Sequence, residues 1–554
     1  MNALGTTAPE VSYDLLASIR AREISVQTTL SPASPTPSVE PARTPSTRPW
    51  LLGSGLAVLI LVLIKIAVHL YTGRRYGFFV DELYYMDCAR HLAWGYVDQP
   101  PLVALLAWLE HAVLGNSLLA LRSLTILAGA AEIVLTGLIA RELGGGRFAQ
   151  FLSAMCVLVA PGLLGVDHFF SMNSFEPLFW MGCAWLMIRI VRTGDARLWL
   201  WFGVVAGLGL ENKYSMGLFG FALVAGLLLA GQYRLFASRW FWMGGAIALL
   251  IFLPNLIWNI VHHFPFLELQ QNIKRSGRDV ALSPLAFLGQ ESLTMLPLSL
   301  PIWLGGLWFF FFNARGRAYR FLGWAWVITA GVIMILSPRI YYLFPAFPVV
   351  FAGGAVLWEH LLRRRGFVIL KAAWVTLMIL MGAVLAPIVI PVLSPEGYIQ
   401  YVKVTHLEQP RIENNQLGPL PQLFADQFGW PEMAATVASV YNSLPADVRP
   451  RTAIFAQSYG QAGAIDYYGP ALGLPQAISG HQSLYLWGPR GYTGESMIVM
   501  GDRRARLEQI FTSVKWMAKV DHPYSMPYNH VDVYWCQGLK QPLAEFWPQV
   551  KKWD

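Results

Sequence analysis

Phe79-Val80-Asp81-Glu82-Leu83-Tyr84-Tyr85 sets two adjacent carboxylates just beyond the first long apolar run of the chain, residues 50–71. His91, Tyr96, Asp98 and the pair Pro100-Pro101 follow closely. An acidic pair at the lip of a bilayer carries a desolvation penalty unless water, a metal or a cation meets it, so its default reading is functional. The plain alternative is helix capping, since Asp81 before a helix starting near Leu83 would satisfy free amides.

That reading needs a membrane, and composition supplies one. The 554 residues are 55% hydrophobic and only 13% charged, whereas soluble domains carry roughly a quarter charged residues. Apolar runs recur near 50–71, 119–140, 148–166, 174–192, 198–211, 215–231, 240–261, 287–312, 321–337, 341–361 and 367–391. Runs of roughly 15–25 residues suit membrane helices, so the pattern predicts about eleven spans.

Arginines give the sidedness. Alternate connections carry Arg141 and Arg147; Arg189, Arg192 and Arg197; Arg234 and Arg239; Arg315, Arg317 and Arg320; and Arg363, Arg364 and Arg365. The positive-inside bias places these turns in the cytoplasm, with the N-terminus, and leaves everything after about 392 outside. Arg74, Arg75, Lys274, Arg275 and Arg278 then lie outside against the bias, where an anionic partner such as a lipid phosphate would answer them. The net charge of +8 is mostly cytoplasmic turns and makes no case for nucleic acid. Cys88, Cys156, Cys183 and Cys536 lack zinc-ligand spacing, and only Cys88 and Cys536 are placed to meet in an oxidising compartment.

Residues 1–48, rich in Ser, Thr, Pro and Ala, read as a disordered cytoplasmic tail with no cleavable signal peptide. Residues 49–391 form the membrane region, with a first outer loop at 72–118. In it, 82–94 and 101–114 are patterned as interfacial helices broken at Pro100-Pro101, with Tyr84, Tyr85, Trp94 and Trp108 at headgroup depth. Residues 392–554 alternate strand-like segments (451–456, 495–500, 513–517) with helical ones (431–443, 462–472, 502–511), predicting an extracytoplasmic α/β domain. The stretch from Tyr459 to Ala464 has neither Gly-x-Gly-x-x-Gly nor a Walker lysine, so it reads as a strand-to-helix bend. Residues 479–488 read as a binding loop, and Trp430, Tyr485 and Trp487 as either stacking or core residues.

Over roughly 50–390 the sequence resembles the C-superfamily glycosyltransferases, in particular glycosyltransferase family 39, which includes protein O-mannosyltransferases and the lipid A aminoarabinose transferase. The resemblance is carried by Asp81-Glu82, by Asp98-Gln-Pro-Pro-Leu102, by Ser171-Met-Asn-Ser-Phe-Glu176, by Asn212-Lys213-Tyr214 and by Ser337-Pro-Arg-Ile-Tyr-Tyr-Leu343. It implies the GT-C fold and transfer of a sugar from a polyprenyl-phosphate carrier to an extracytoplasmic lipid, glycan or protein. It also implies a bacterial inner-membrane setting with the 392–554 domain in the periplasm.

The chemistry requires a base for the acceptor hydroxyl and cations for the departing phosphate. Asp81 is the candidate base, matching the first-loop Asp of the family, and Glu82 is the next candidate, its alternative roles being to orient the acceptor or to hold the loop. Asp167, His168, Asn173 and Glu176 are candidates for the acceptor side. Lys213, Arg278, Arg339 and Tyr342 are candidates for the phosphate, and relatives often carry Lys where Arg339 stands. No cofactor is indicated with certainty; a divalent cation is compatible, although no His-x-x-x-His or Asp-x-Asp cluster demands one. Two other readings stay open: a transporter or flippase of lipid-linked sugars, and a non-catalytic assembly subunit.

Overall fold

The computed structural model describes residues 55–280, 282–336, 339–411 and 413–554; the predicted tail at 1–48 lies outside them. Among the described residues, seven helices are long and apolar enough to cross a membrane: Gly55–Thr72 (α1), Leu118–Glu142, Met172–Thr193, Arg239–Val261, Arg317–Leu336, Ile340–Leu361 and Arg365–Val389. The pair Pro284–Thr294 and Pro297–Phe312, bent by 100°, makes an eighth if it is one span. Leu249, Leu250, Ile257 and Ile260 on one of these helices, and Ile369, Leu377 and Leu380 on another, stay exposed. Such surfaces are stable only against lipid.

Helices occupy all eleven predicted places, but three of those places hold shorter or broken helices. Leu198–Asn212 and Ser215–Leu229 have 15 residues each, which is about 22 Å of helix against a hydrocarbon core of about 30 Å. The run at 148–166 breaks into Arg147–Val159 and Pro161–Val166, because Ala160 is extended and Pro161 opens a new helix. The eighth span bends where Leu296 takes φ +70° just before Pro297.

The connection at 72–118 forms Val80–Arg90 (α2) and Leu102–Leu114 (α3). Tyr84 and Tyr85 do not face a lipid surface: they are 1% and 3% exposed. They belong to one hydrophobic core with Trp430, Ile454 and Ile465 from the C-terminal region. Trp94 and Trp108 do remain exposed.

Downstream, Pro265–Ser276 (α4) lies in the connection after Arg239–Val261 and ends on Gly277 at φ +66°. The C-terminal region is built on a five-stranded mixed sheet of Thr452–Ala456 (β1), Ile478–Ser479 (β2), Ser496–Met500 (β3), Phe511–Lys519 (β4) and Asp532–Leu539 (β5). Its order is β2-β1-β3-β5-β4. β1 runs parallel to β2 and β3, while β5 is antiparallel to β3 and β4. After β1, Ser458 accepts from the Gln461 amide and starts Tyr459–Tyr468 (α5).

The glycines of α5 are there for packing. A Cβ on Gly460 would stand 2.3 Å from Val80 Cγ2, and one on Gly463 would stand 2.9 Å from the Leu83 backbone. Gly460 and Gly463 therefore make one face, spaced three residues apart, that lets α5 lie directly on α2. All four cysteines are buried and free, so Cys88 and Cys536 do not pair. Trp430 and Tyr485 go to the core, Tyr485 stacking on Trp547, whereas Trp487 stacks on His91 at 4.2 Å.

Candidate active site

A cavity of about 990 Å³ opens where α2, the start of the helix at Met172, the turn at Lys213, α4 and the C-terminal region converge. Its wall mixes apolar side chains such as Phe169 and Leu269 with carboxylates and cations. That composition suits a ligand with a greasy tail and a polar head.

Asp81 lines this cavity from the first turn of α2, where the helix amides favour a carboxylate. Its Oδ1 accepts a 2.7 Å hydrogen bond from the Tyr459 hydroxyl at the start of α5. Burial pushes its carboxyl up to about 6; the Tyr459 bond and Arg278 act against the rise, while Glu413 and Glu82 add to it. A carboxylate titrating there is ionised near neutral pH yet more basic than an ordinary one, as a general base needs.

Glu82, one residue on, is spent on structure. It is fully buried, and its oxygens accept from Arg122 Nε at 2.8 Å and Nη2 at 2.7 Å, and from the Phe79 and Phe170 amides at 2.7 Å each. It does not line the cavity. The capping role considered for Asp81 thus falls to Glu82, which ties the start of α2 to the Phe170 turn. Its expected share in the chemistry has no geometric support.

Asp167 and His168 also lie behind the wall. Asp167 pairs with Lys65 at 2.6 Å, with both side chains fully buried. His168 sits 3.4 Å from Arg122 Nη1 and stacks near His69. The acceptor-side role expected of these two therefore fails on access. Glu176 accepts from Lys213 Nζ at 2.7 Å and from Ser215, just behind the surface that Asn173 and Lys213 present.

The cations do converge. Lys213 Nζ also donates to Asn173 Oδ1 at 2.8 Å and lies 4.6 Å over the Tyr342 ring. Arg278 pairs with Glu413 at 2.8 Å. Arg339 reaches Asp279 at 2.5 Å and Glu413 at 3.3 Å. Lys213, Arg278, Arg339 and Tyr342 all face the cavity.

Four acidic wall residues, Asp98, Glu413, Asp426 and Asp554, went unassigned from sequence. Asp98 accepts from Tyr84 at 2.8 Å, and Asp426 accepts from Tyr528; burial pushes each carboxyl up to about 7. Glu413 would be raised by burial, but Arg278 and then Arg339 outweigh that and hold it low. Asp98 had a local signal in its Gln-Pro-Pro motif. Asp426 and Glu413 had none, since only folding brings residues past 400 to α2. Of residues 479–488, His481 and Gln482 reach the wall. Among the described residues, no three His, Cys, Asp or Glu side chains come together to hold a metal ion.

Residues 98–258 match the family described as dolichyl-phosphate-mannose-protein mannosyltransferase. The chain superposes on ArnT from Cupriavidus metallidurans bound to undecaprenyl phosphate, with a TM-score of 0.57 at 15% identity over 87% of this chain and 97% of that one. The chain has the C-superfamily glycosyltransferase fold. The apo form of the same ArnT gives a TM-score of 0.56 at 15% identity, covering 87% of this chain and 98% of that one. An Archaeoglobus fulgidus oligosaccharyltransferase gives 0.49 at 12% identity over 76% of this chain and 64% of that one. No curated protein matches by sequence. Within the C-superfamily frame, the matched segment contains Asp98, Asn173, Glu176 and Lys213 but stops short of Asp81 on one side and of Arg278 and Arg339 on the other.

Proposed function

We propose that the protein is a membrane glycosyltransferase that moves a sugar from a polyprenyl-phosphate donor to a hydroxyl of an extracytoplasmic lipid, glycan or protein, with Asp81 as general base. The observation that carries the assignment of the base is the placement of Asp81 on the wall of the cavity that Lys213, Arg278 and Arg339 also line. The acceptor hydroxyl gives its proton to Asp81 as its oxygen bonds to the anomeric carbon. The bond from that carbon to the phosphate oxygen breaks, and the electron pair leaves with the polyprenyl phosphate.

Lys213, Arg278 and Arg339 stabilise the charge that develops on the leaving phosphate. Each already has a carboxylate partner, which keeps it ordered before the donor arrives. Tyr342, beneath Lys213, packs against the ammonium and limits its motion. Apolar wall residues such as Leu269, Ile273 and Ile333 accommodate the first isoprene units.

The setting is a bacterial inner membrane with the cavity on the periplasmic side. In Met172–Thr193, the cavity residue Asn173 stands at one end and Arg189 and Arg192 at the other; Leu198–Asn212 runs from Arg197 to Lys213. The arginine-rich turns therefore face away from the cavity, and the positive-inside bias puts them in the cytoplasm.

The test supplies membranes containing the protein with a pool of polyprenyl-phosphate sugars and follows each donor and free polyprenyl phosphate by mass spectrometry. Selective disappearance of one donor with release of polyprenyl phosphate is expected. Movement of intact donor across the bilayer without cleavage would instead indicate a flippase.

A further inference from the structure

The base does not stand alone on its own loop: its hydrogen-bond donor arrives from a segment 378 residues away. We propose that Tyr459 is a positioning residue for Asp81, so that the active site is completed by the C-terminal region rather than merely covered by it. This inference rests on the reading of Asp81 as base.

The arrangement around Tyr459 is built. Its backbone amide donates to His481 Nδ1 at 3.0 Å, and its ring stacks on the His481 imidazole at 4.9 Å between centroids. On its other side the ring meets Tyr84, also at 4.9 Å. Gly460 and Gly463 admit α5 onto α2, and that close approach brings the phenol within reach of the carboxylate. With the phenol on Oδ1, the carboxylate is fixed in rotation and its second oxygen is left for an acceptor hydroxyl.

The charged surroundings of Asp81 set the expected direction. From its own helix come Glu82 and Tyr85; from beyond α4, Arg278; from the segment before the sheet, Glu413 and Asp426; and from the turn before α3, Asp98. Among these groups Tyr459 is the neutral donor bonded to Asp81. Its hydroxyl favours the ionised form, so removing it raises the pH at which the base becomes available.

The experiment compares full-length wild type, Tyr459→Phe, Tyr467→Phe and Asp81→Asn in membranes, measuring the pH profile of donor consumption from pH 5 to 9. Tyr467 is the docking control: its hydroxyl donates to the Asn116 carbonyl, joining the C-terminal region to the first loop away from the cavity. Tyr459→Phe is expected to move the acid limb up by about one pH unit, lowering turnover about tenfold at pH 5.5 and less at pH 8.5. Tyr467→Phe is expected to leave the limb in place. Should Tyr459→Phe fold poorly, 3-fluorotyrosine at 459 keeps the shape while strengthening the donor, and the limb moves down instead. A limb that stays put in both Tyr459 variants overturns the proposal. Normal turnover in Asp81→Asn would instead overturn the reading of Asp81, whatever Tyr459 does.

Discussion

Deprotonating an acceptor hydroxyl needs a carboxylate that is reachable, ionised and not already saturated by donors. Asp81 meets these conditions, whereas Glu82 lies behind the cavity wall with its oxygens taken by Arg122 and two backbone amides. Because Asp81 is raised from 3.8 to about 6 in the fold, donor turnover should climb with pH through an acid limb near 6 and flatten above it. The same shift has a cost in stability. The folded state holds the proton more tightly than the unfolded chain, so the contribution of Asp81 is fully present below its ordinary value and is lost as pH rises through about 6. Asp81→Asn should therefore melt at or above the wild-type temperature at pH 8 while losing turnover by about 100-fold or more; thermal unfolding in detergent checks this. Glu82→Ala should do the reverse. It strands buried Arg122, at a cost of about 3–5 kcal/mol, so the yield of folded protein in size-exclusion chromatography should collapse. Sequence alone marked both carboxylates but could not divide these roles, because the division depends on Arg122, Phe170 and Tyr459, none of them local.

Most elements were legible because a 3.6-residue period and apolar runs write themselves into local sequence. The helices at Leu102, Met172 and Trp430 and strands β1, β3 and β4 lie close to where pattern puts them. β2 has only two residues, too few to show alternation, and the half-buried β5, with Trp535 and Gln537 partly exposed, was passed over. Three of the runs hold helices shorter than the pattern suggested, because hydropathy does not register a proline break or a 15-residue limit. The glycines of α5, read as part of a strand-to-helix bend, also form a packing face that no local pattern marks. Gly463→Val should therefore push α5 off α2 and draw Tyr459 from Asp81. Its expected signature is faster proteolysis of the C-terminal region together with an acid limb moved upward, read by limited trypsin digestion and the pH profile.

At the scale of the molecule, the cavity lies where a membrane bundle and a mixed sheet share one surface, so lipid-linked and water-borne groups can meet there. The tail at 1–48 contributes nothing to this account. Sidedness is open to direct test, since the four native cysteines are buried and give little background. Ser513→Cys, on an exposed position of β4, should react with an impermeant maleimide added outside the inner membrane of spheroplasts. Arg315→Cys, exposed in an arginine-rich turn, should react only after permeabilisation. What most needs measuring is chemistry at one carboxylate: wild type and Asp81→Asn, equally expressed in membranes, incubated with polyprenyl-phosphate sugars at pH 7.5, with free polyprenyl phosphate quantified by mass spectrometry. The account predicts that wild type releases it from one donor and that Asp81→Asn, folded and present, does so about 100-fold more slowly or not at all. Equal release by both proteins would contradict it.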